Sequence, residues 1–255
     1  MSKFVDKLQR LYRSSAPAIG FRTASSVSSG SPLLLISSLA AVGIEEAKAV
    51  ANNGADAGIV SYKGLNARNF KQSVKAIGDI PLGIFMESVG LDKVDELVSS
   101  GCDFVIFDAG ASAAMLQKKE VGRILKVKPS LDVGLIRAIG DLQPSIDGVL
   151  ISEEGAESFV SIERLLVCQR FAQLLDKPLL VTLPLSVSAD ELGSFLEAGV
   201  VGVIVPAEES AGKLAQLREI VDNLPRRAKR ESKRGVFLPQ LGGDSGIEAE
   251  EEEEE

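Results

Sequence analysis

Short apolar runs recur along the chain, each entered through a Gly or Asp turn and each left on a polar residue. Gly101-Cys102-Asp103 opens onto Phe104-Val105-Ile106-Phe107, which stops at Asp108, and Gly54-Ala55-Asp56, Asp147-Gly148 and Gly199-Val200 introduce similar runs. Stretches with apolar residues three and four apart fill the intervals. A run that is apolar at nearly every position is buried on both faces, as in a parallel sheet covered by helices. Strands are expected at 33–37, 57–62, 81–87, 103–108, 133–138, 147–152, 178–183 and 200–205. Helices are expected at 44–53, 66–77, 91–100, 112–126, 156–176, 188–198 and 210–223. Only residues 140–146 would then separate the fifth and sixth strands. That is too short for a crossover helix, so this unit is expected to be a loop or a single turn.

Eight βα units are the number that closes a barrel. The pattern over 33–223 resembles the TIM (β/α)8-barrel superfold, with an open doubly wound sheet as the alternative. The expected organisation is an N-terminal helix and connection (1–32), the α/β barrel (33–225) and a tail (226–255). Phe4, Leu8, Leu11 and Tyr12 share one face of an amphipathic helix over 4–12, which would plug the bottom of a barrel or bind a neighbouring subunit. Phe159, Ile162, Leu165, Leu166 and Phe171 are expected as a core stripe of the long helix. In the tail, a basic cluster from Arg226 to Arg234 precedes the run Glu250 to Glu255. A segment of that composition is expected to be disordered. The favoured reading is a solvated tail whose two charge blocks attract one another; the alternative is that its one apolar patch, Val236-Phe237-Leu238-Pro239, docks onto its own subunit or another.

Composition narrows the chemistry. The formal charge is −8, yet eight acids lie in 235–255, leaving 28 acids against 28 bases in the first 234 residues. The folded part is therefore neutral and carries no basic field for nucleic acid or an anionic membrane. No apolar run approaches the length of a membrane span. Residues 1–13 are charged and lack the apolar core of a secretory signal, so a cytoplasmic location is expected. Cys102 and Cys168 sit in apolar sequence and read as buried thiols. The chain has no histidine, which excludes Ser-His and Cys-His nucleophile pairs and His-ligated zinc.

In a TIM barrel the site forms at the C-terminal ends of the strands. Lys63, Glu87, Asp108 and Arg137 follow four consecutive expected strands, and alternation puts them in phase with one face of the sheet. Two carboxylates facing two cations would bind Mg²⁺ and a small oxo-acid, with Glu87 and Asp108 as metal ligands. Lys63 would act as proton acceptor once burial and Arg137 lower its pKa. This placement is similar to enolase-type barrels, whose chemistry is metal-stabilised enolate formation. The chain departs from that family in lacking its capping domain and in placing Arg137 where a third metal ligand would stand. The alternative is a self-neutralising ring of charges that caps the barrel core.

Other polar groups at expected strand ends are Ser37, Ser38, Ser61 and Ser88, then Ser152 with Glu153, Thr182, and Glu208 with Glu209. A phosphate site is disfavoured. The seventh loop carries Ser188 and Glu191, a capping box that satisfies the helix's own N–H groups, and the eighth carries two acids. Glu153 and Glu154 read as the acidic first turn of the long helix, with a metal ligand as the alternative, and Tyr62 reads equally as a mouth or a packing residue. Two functions follow. One is a small-molecule-binding barrel, an enzyme acting on a small carboxylate or oxo-acid by lyase or isomerase chemistry. The other is a catalytically silent barrel that self-assembles through its terminal segments as a homo-oligomer.

Overall fold

In the computed structural model, eight strands, all parallel to their neighbours, close into a barrel in sequence order, with the first paired to the eighth. The structure describes residues 2–15, 30–39, 42–63, 65–86, 91–143, 145–152, 160–206 and 212–225. The strands are β1 (Leu34–Leu39), β2 (Ala57–Ser61), β3 (Leu82–Met86), β4 (Phe104–Asp108), β5 (Gly122–Val127), β6 (Gly148–Ile151), β7 (Leu179–Thr182) and β8 (Val200–Val205). Ahead of them lies α1 (Lys3–Ser15). The outer helices are α2 (Ile44–Asn52), α3 (Ala67–Ile77), α4 (Leu91–Ser99), α5 (Val133–Asp141), α6 (Ile162–Leu174), α7 (Ala189–Ala198) and α8 (Gly212–Asn223). No helix among the described residues is long and apolar enough to cross a membrane. The basic and glutamate-rich tail, 226–255, lies outside the described residues.

One unit differs from expectation. The fifth strand is 122–127, where a helix was expected, and 133–138 is helical rather than extended. The crossover without a full helix is therefore the one between β4 and β5, which has a single 3₁₀ turn, Ala113–Gln117. Residues 133–138 look like a buried strand in a short window, but Asp132 accepts a hydrogen bond from the Gly134 N–H at 2.7 Å and starts a helix there. Val133 and Leu135 then face solvent, 40% and 57% exposed. β5 is disguised by Arg123 and Lys126, which break its apolar run and find partners only in the closed barrel. Arg123 pairs with Asp147 at 3.1 Å below, and it reaches the Leu116 carbonyl in the 3₁₀ turn at 2.7 Å.

Alternation along each strand divides the core in two. Outward residues such as Leu35, Val60, Ile84, Val105 and Val203 pack under the helices. Inward residues such as Ile36, Ile59, Phe104, Ile106, Ile124 and Leu180 fill the barrel together with Phe4 and Leu8 of α1. The helix thus plugs the bottom of the barrel, one of the two roles expected for it. Phe4 stacks on Phe104 with ring centroids 4.1 Å apart. Space for the plug comes from inward glycines: a Cβ at Gly122 would meet Val5 and Phe104, and one at Gly148 would meet Leu8.

The long sixth helix starts at Ile162 under a Ser161 cap, later than expected, so Glu153 and Glu154 are not its first turn. Residues 153–159, Phe159 included, lie outside the described residues. Of its expected core stripe Phe171 is buried, whereas Ile162 is 78% and Leu166 60% exposed. Ser188 and Glu191 form the expected capping box at α7.

Candidate functional site

The top of the barrel is set by the inward position that follows the last interior residue of each strand. Continuing the interior series Ile36, Ile59, Ile106, Ile124, Leu150 and Leu180 by two residues gives Ser38, Ser61, Asp108, Lys126, Ser152 and Thr182. Ser37 has the opposite phase and is buried against the outer layer, with its hydroxyl near the Ser38 carbonyl at 3.3 Å. Tyr62 also points outward: it packs on the outer core with the Lys93 ammonium 5.6 Å from its ring, a packing role.

Asp108 and Lys126 are direct partners in the β4–β5 register. The Lys126 ammonium lies 3.7 Å from the Asp108 carboxylate, and the two side chains are 13% and 45% exposed. The same ammonium stands 4.7 Å from the centre of the Phe85 ring, an inward residue of β3. Its aliphatic stem is thus buried while its charge meets a carboxylate on one side and an aromatic face on the other. Beside this pair a cavity of about 1030 Å³ runs over the end of β5 to the apolar side of α5. Lys128, Pro129 and Ser152 join Asp108 and Lys126 on its polar side, and Leu131, Leu135 and Leu142 line its apolar side.

Of the four residues singled out in the sequence, Asp108 is at the mouth as expected. Lys63 stands exposed in the turn after β2, its N–H 3.4 Å from the Ser61 hydroxyl. Arg137 is exposed in the middle of α5 and does not line the cavity. Glu87 lies outside the described residues, as do Ser88, Glu153, Glu208 and Glu209. The cation at the end of the fifth strand is therefore Lys126, not Arg137. Arg137 lies on α5 and Lys63 in the open turn after β2, so the two are not brought together as expected. Lys126 is hidden in the sequence because its strand reads as a helix; the short 140–146 connection is the one signal that bears on the position of the fifth strand.

Among the described residues no group of three or more Asp, Glu, Cys or His side chains is placed to hold a metal ion. Cys102 and Cys168 are free and buried as expected, and burial pushes both thiols up, Cys168 to about 12. Burial disfavours their thiolates, and both pack in the core.

No family model matches the chain, and no curated protein matches it significantly. Solved structures do. Tryptophan synthase from M. tuberculosis in a ligand-free form is 15% identical, covers 88% of this chain and 99% of its own, and superposes with a TM-score of 0.61. A mutant tryptophan synthase alpha-subunit from the hyperthermophile Pyrococcus furiosus is 13% identical, covers 76% of this chain and 98% of its own, and has a TM-score of 0.59. The chain is a TIM barrel. At this identity, and with 824 solved chains matching, the likeness establishes the fold and leaves chemistry to the site.

Proposed function

We propose that the protein binds a small carboxylate or oxo-acid at the mouth of the barrel and acts on it by proton transfer next to a carbonyl. The observation that carries this reading is the Lys126–Asp108 pair, half-buried at the mouth and opening onto a cavity with an apolar wall. Lys126 and Lys128 would hold the anion, and the wall from Leu131 to Leu142 would take its carbon skeleton. Asp108 would accept the proton α to the carbonyl while the Lys126 ammonium stabilises the enolate oxygen. Return of the proton to a neighbouring carbon gives an isomerase, and loss of a β-substituent gives a lyase. Lys63 and Glu87, adjacent in strand order, remain candidates for the far side of the ligand. A metal-assisted version would need Glu87 together with Asp108, whose carboxylate already faces an ammonium.

The test is titration calorimetry of the full chain against pyruvate, malonate and 2-oxoglutarate, with and without Mg²⁺. Lys126→Met should weaken binding by about 10- to 100-fold, the equivalent of about 1.5–3 kcal/mol for one charge-assisted hydrogen bond. Equal affinity in the variant would remove the mouth as the binding site. A second reading, a barrel without catalysis that serves as an assembly subunit, draws on exposed Ile162 and Leu166. It predicts no binding by any of the three acids and a multimer by light scattering.

A further inference from the structure

On the outside of the barrel, sharing no lining residue with the mouth cavity, a groove of about 1040 Å³ crosses α7 between α6 and α8. Its floor is the outer face of α7, formed by Ala189, Gly193 and Ser194. Its α6 wall is Ile162 and Leu166, two large apolar side chains that the helix presents to solvent. Gly193 sits inside α7, where glycine is unfavourable, and a Cβ built on it meets nothing within 4 Å. No packing within the barrel therefore calls for a glycine there, while a segment lying across the helix would gain from the missing side chain. Asp190, Glu197 and Glu219 line the groove, and among the described residues no lysine or arginine does.

The chain itself points to the occupant. Leu224 and Pro225 form one end of this groove, and the chain continues from there for 30 residues. The continuation begins with the six cations from Arg226 to Arg234, which complement the three carboxylates. Val236-Phe237-Leu238-Pro239 follows. Ten residues separate Pro225 from Val236, and the eleven steps between them span up to about 36 Å when extended, against about 15 Å for the length of α7. We propose that the C-terminal segment folds back in cis across α7. Its basic cluster lies over Asp190, Glu197 and Glu219, and Phe237 and Leu238 cover Ile162 and Leu166. The groove and the tail each carry what the other lacks: exposed apolar side chains beneath an apolar patch, and acids beneath bases.

Gly193→Cys places a thiol on the groove floor of the full chain, where the open space above Gly193 accepts it, and both native cysteines are buried. Its reaction with a water-soluble disulfide reagent should be at least tenfold slower than in the same full-length chain carrying Phe237→Asp and Leu238→Asp. The slowing should be independent of protein concentration, with the monomer mass by light scattering. Equal rates in the two chains would overturn the proposal. Protection that appears only as concentration rises, together with a doubled mass, would assign the groove to a second copy and overturn it equally. Ser194→Cys repeats the measurement should Gly193→Cys not fold, and unreactive Cys102 and Cys168 report that the barrel is intact.

Discussion

Asp103 gathers three donors from the start of the chain, about a hundred positions away. The Ser2 hydroxyl donates to it at 2.7 Å, and the Lys3 and Phe4 N–H groups at 2.8 and 2.9 Å. It thereby caps α1 and seats Phe4 on Phe104. Asp147 plays the corresponding part at β6, accepting from the Arg123 N–H at 2.8 Å, and Asp56 at β2, accepting from the Leu35 N–H at 2.9 Å. The Asp that enters these three strands is plain in the sequence as a turn residue. Its partners are not, because each comes from another unit of the barrel. Asp103→Ala should cost about 2–3 kcal/mol, combining a lost helix cap with lost hydrogen bonds to a charged acceptor. Urea unfolding at pH 7 would show this as a lower midpoint with an unchanged slope.

Elements obey the same division. α1 was recognisable from its spacing alone, since Phe4 and Leu8 fall on one helical face whatever they meet. What they meet is the barrel interior, and Phe4 is wholly buried there. Phe4→Ala should cost about 3–5 kcal/mol, the range for emptying a filled aromatic site, again read from the urea midpoint. A loss below about 1 kcal/mol would mean that α1 is peripheral to stability. β5 and α5 exchanged their expected identities because a local window measures apolar density. Arg123 and Lys126 lower that density in a strand whose polar groups are all answered, by Asp147 below and Asp108 above. Val133 and Leu135 raise it in a helix that leaves them exposed. The mouth follows the strands: Asp108 ends a strand that lies where it was expected, whereas Arg137 lies eleven residues beyond Lys126, on α5.

At the scale of the whole molecule, Arg218 fastens the last helix to the first strands. It donates to Asp56 at 2.9 Å, and Asp56 in turn holds the Leu35 N–H of β1. It also pairs with Asp222 one turn along α8, at 3.0 Å through its Nε. The Arg218 guanidinium holds the Asp222 carboxyl below its ordinary value, chiefly through their hydrogen bond. The pKa is depressed in the folded state, so the pair stabilises the protein above the ordinary carboxylate value. That stability is lost as pH falls through the depressed folded value. Asp222→Asn should therefore lower the urea midpoint at pH 7, and the difference from the parent should close as the pH is taken below about 4. A difference that persists unchanged at pH 3 would assign the effect to packing.

The sequence by itself pointed to an eight-unit α/β barrel with one crossover lacking its helix, an amphipathic N-terminal helix and two buried thiols. These properties follow from the period of apolar positions and from local turn chemistry, and both are carried by neighbours along the chain. Only the tertiary structure decided which crossover is short, that Lys126 stands over Asp108 at the mouth, and that the barrel itself leaves Ile162 and Leu166 exposed on α6. Each of these depends on which distant segment lies alongside. Closing the barrel gives buried charges their partners and withholds cover from apolar side chains that the local pattern alone would have placed inside.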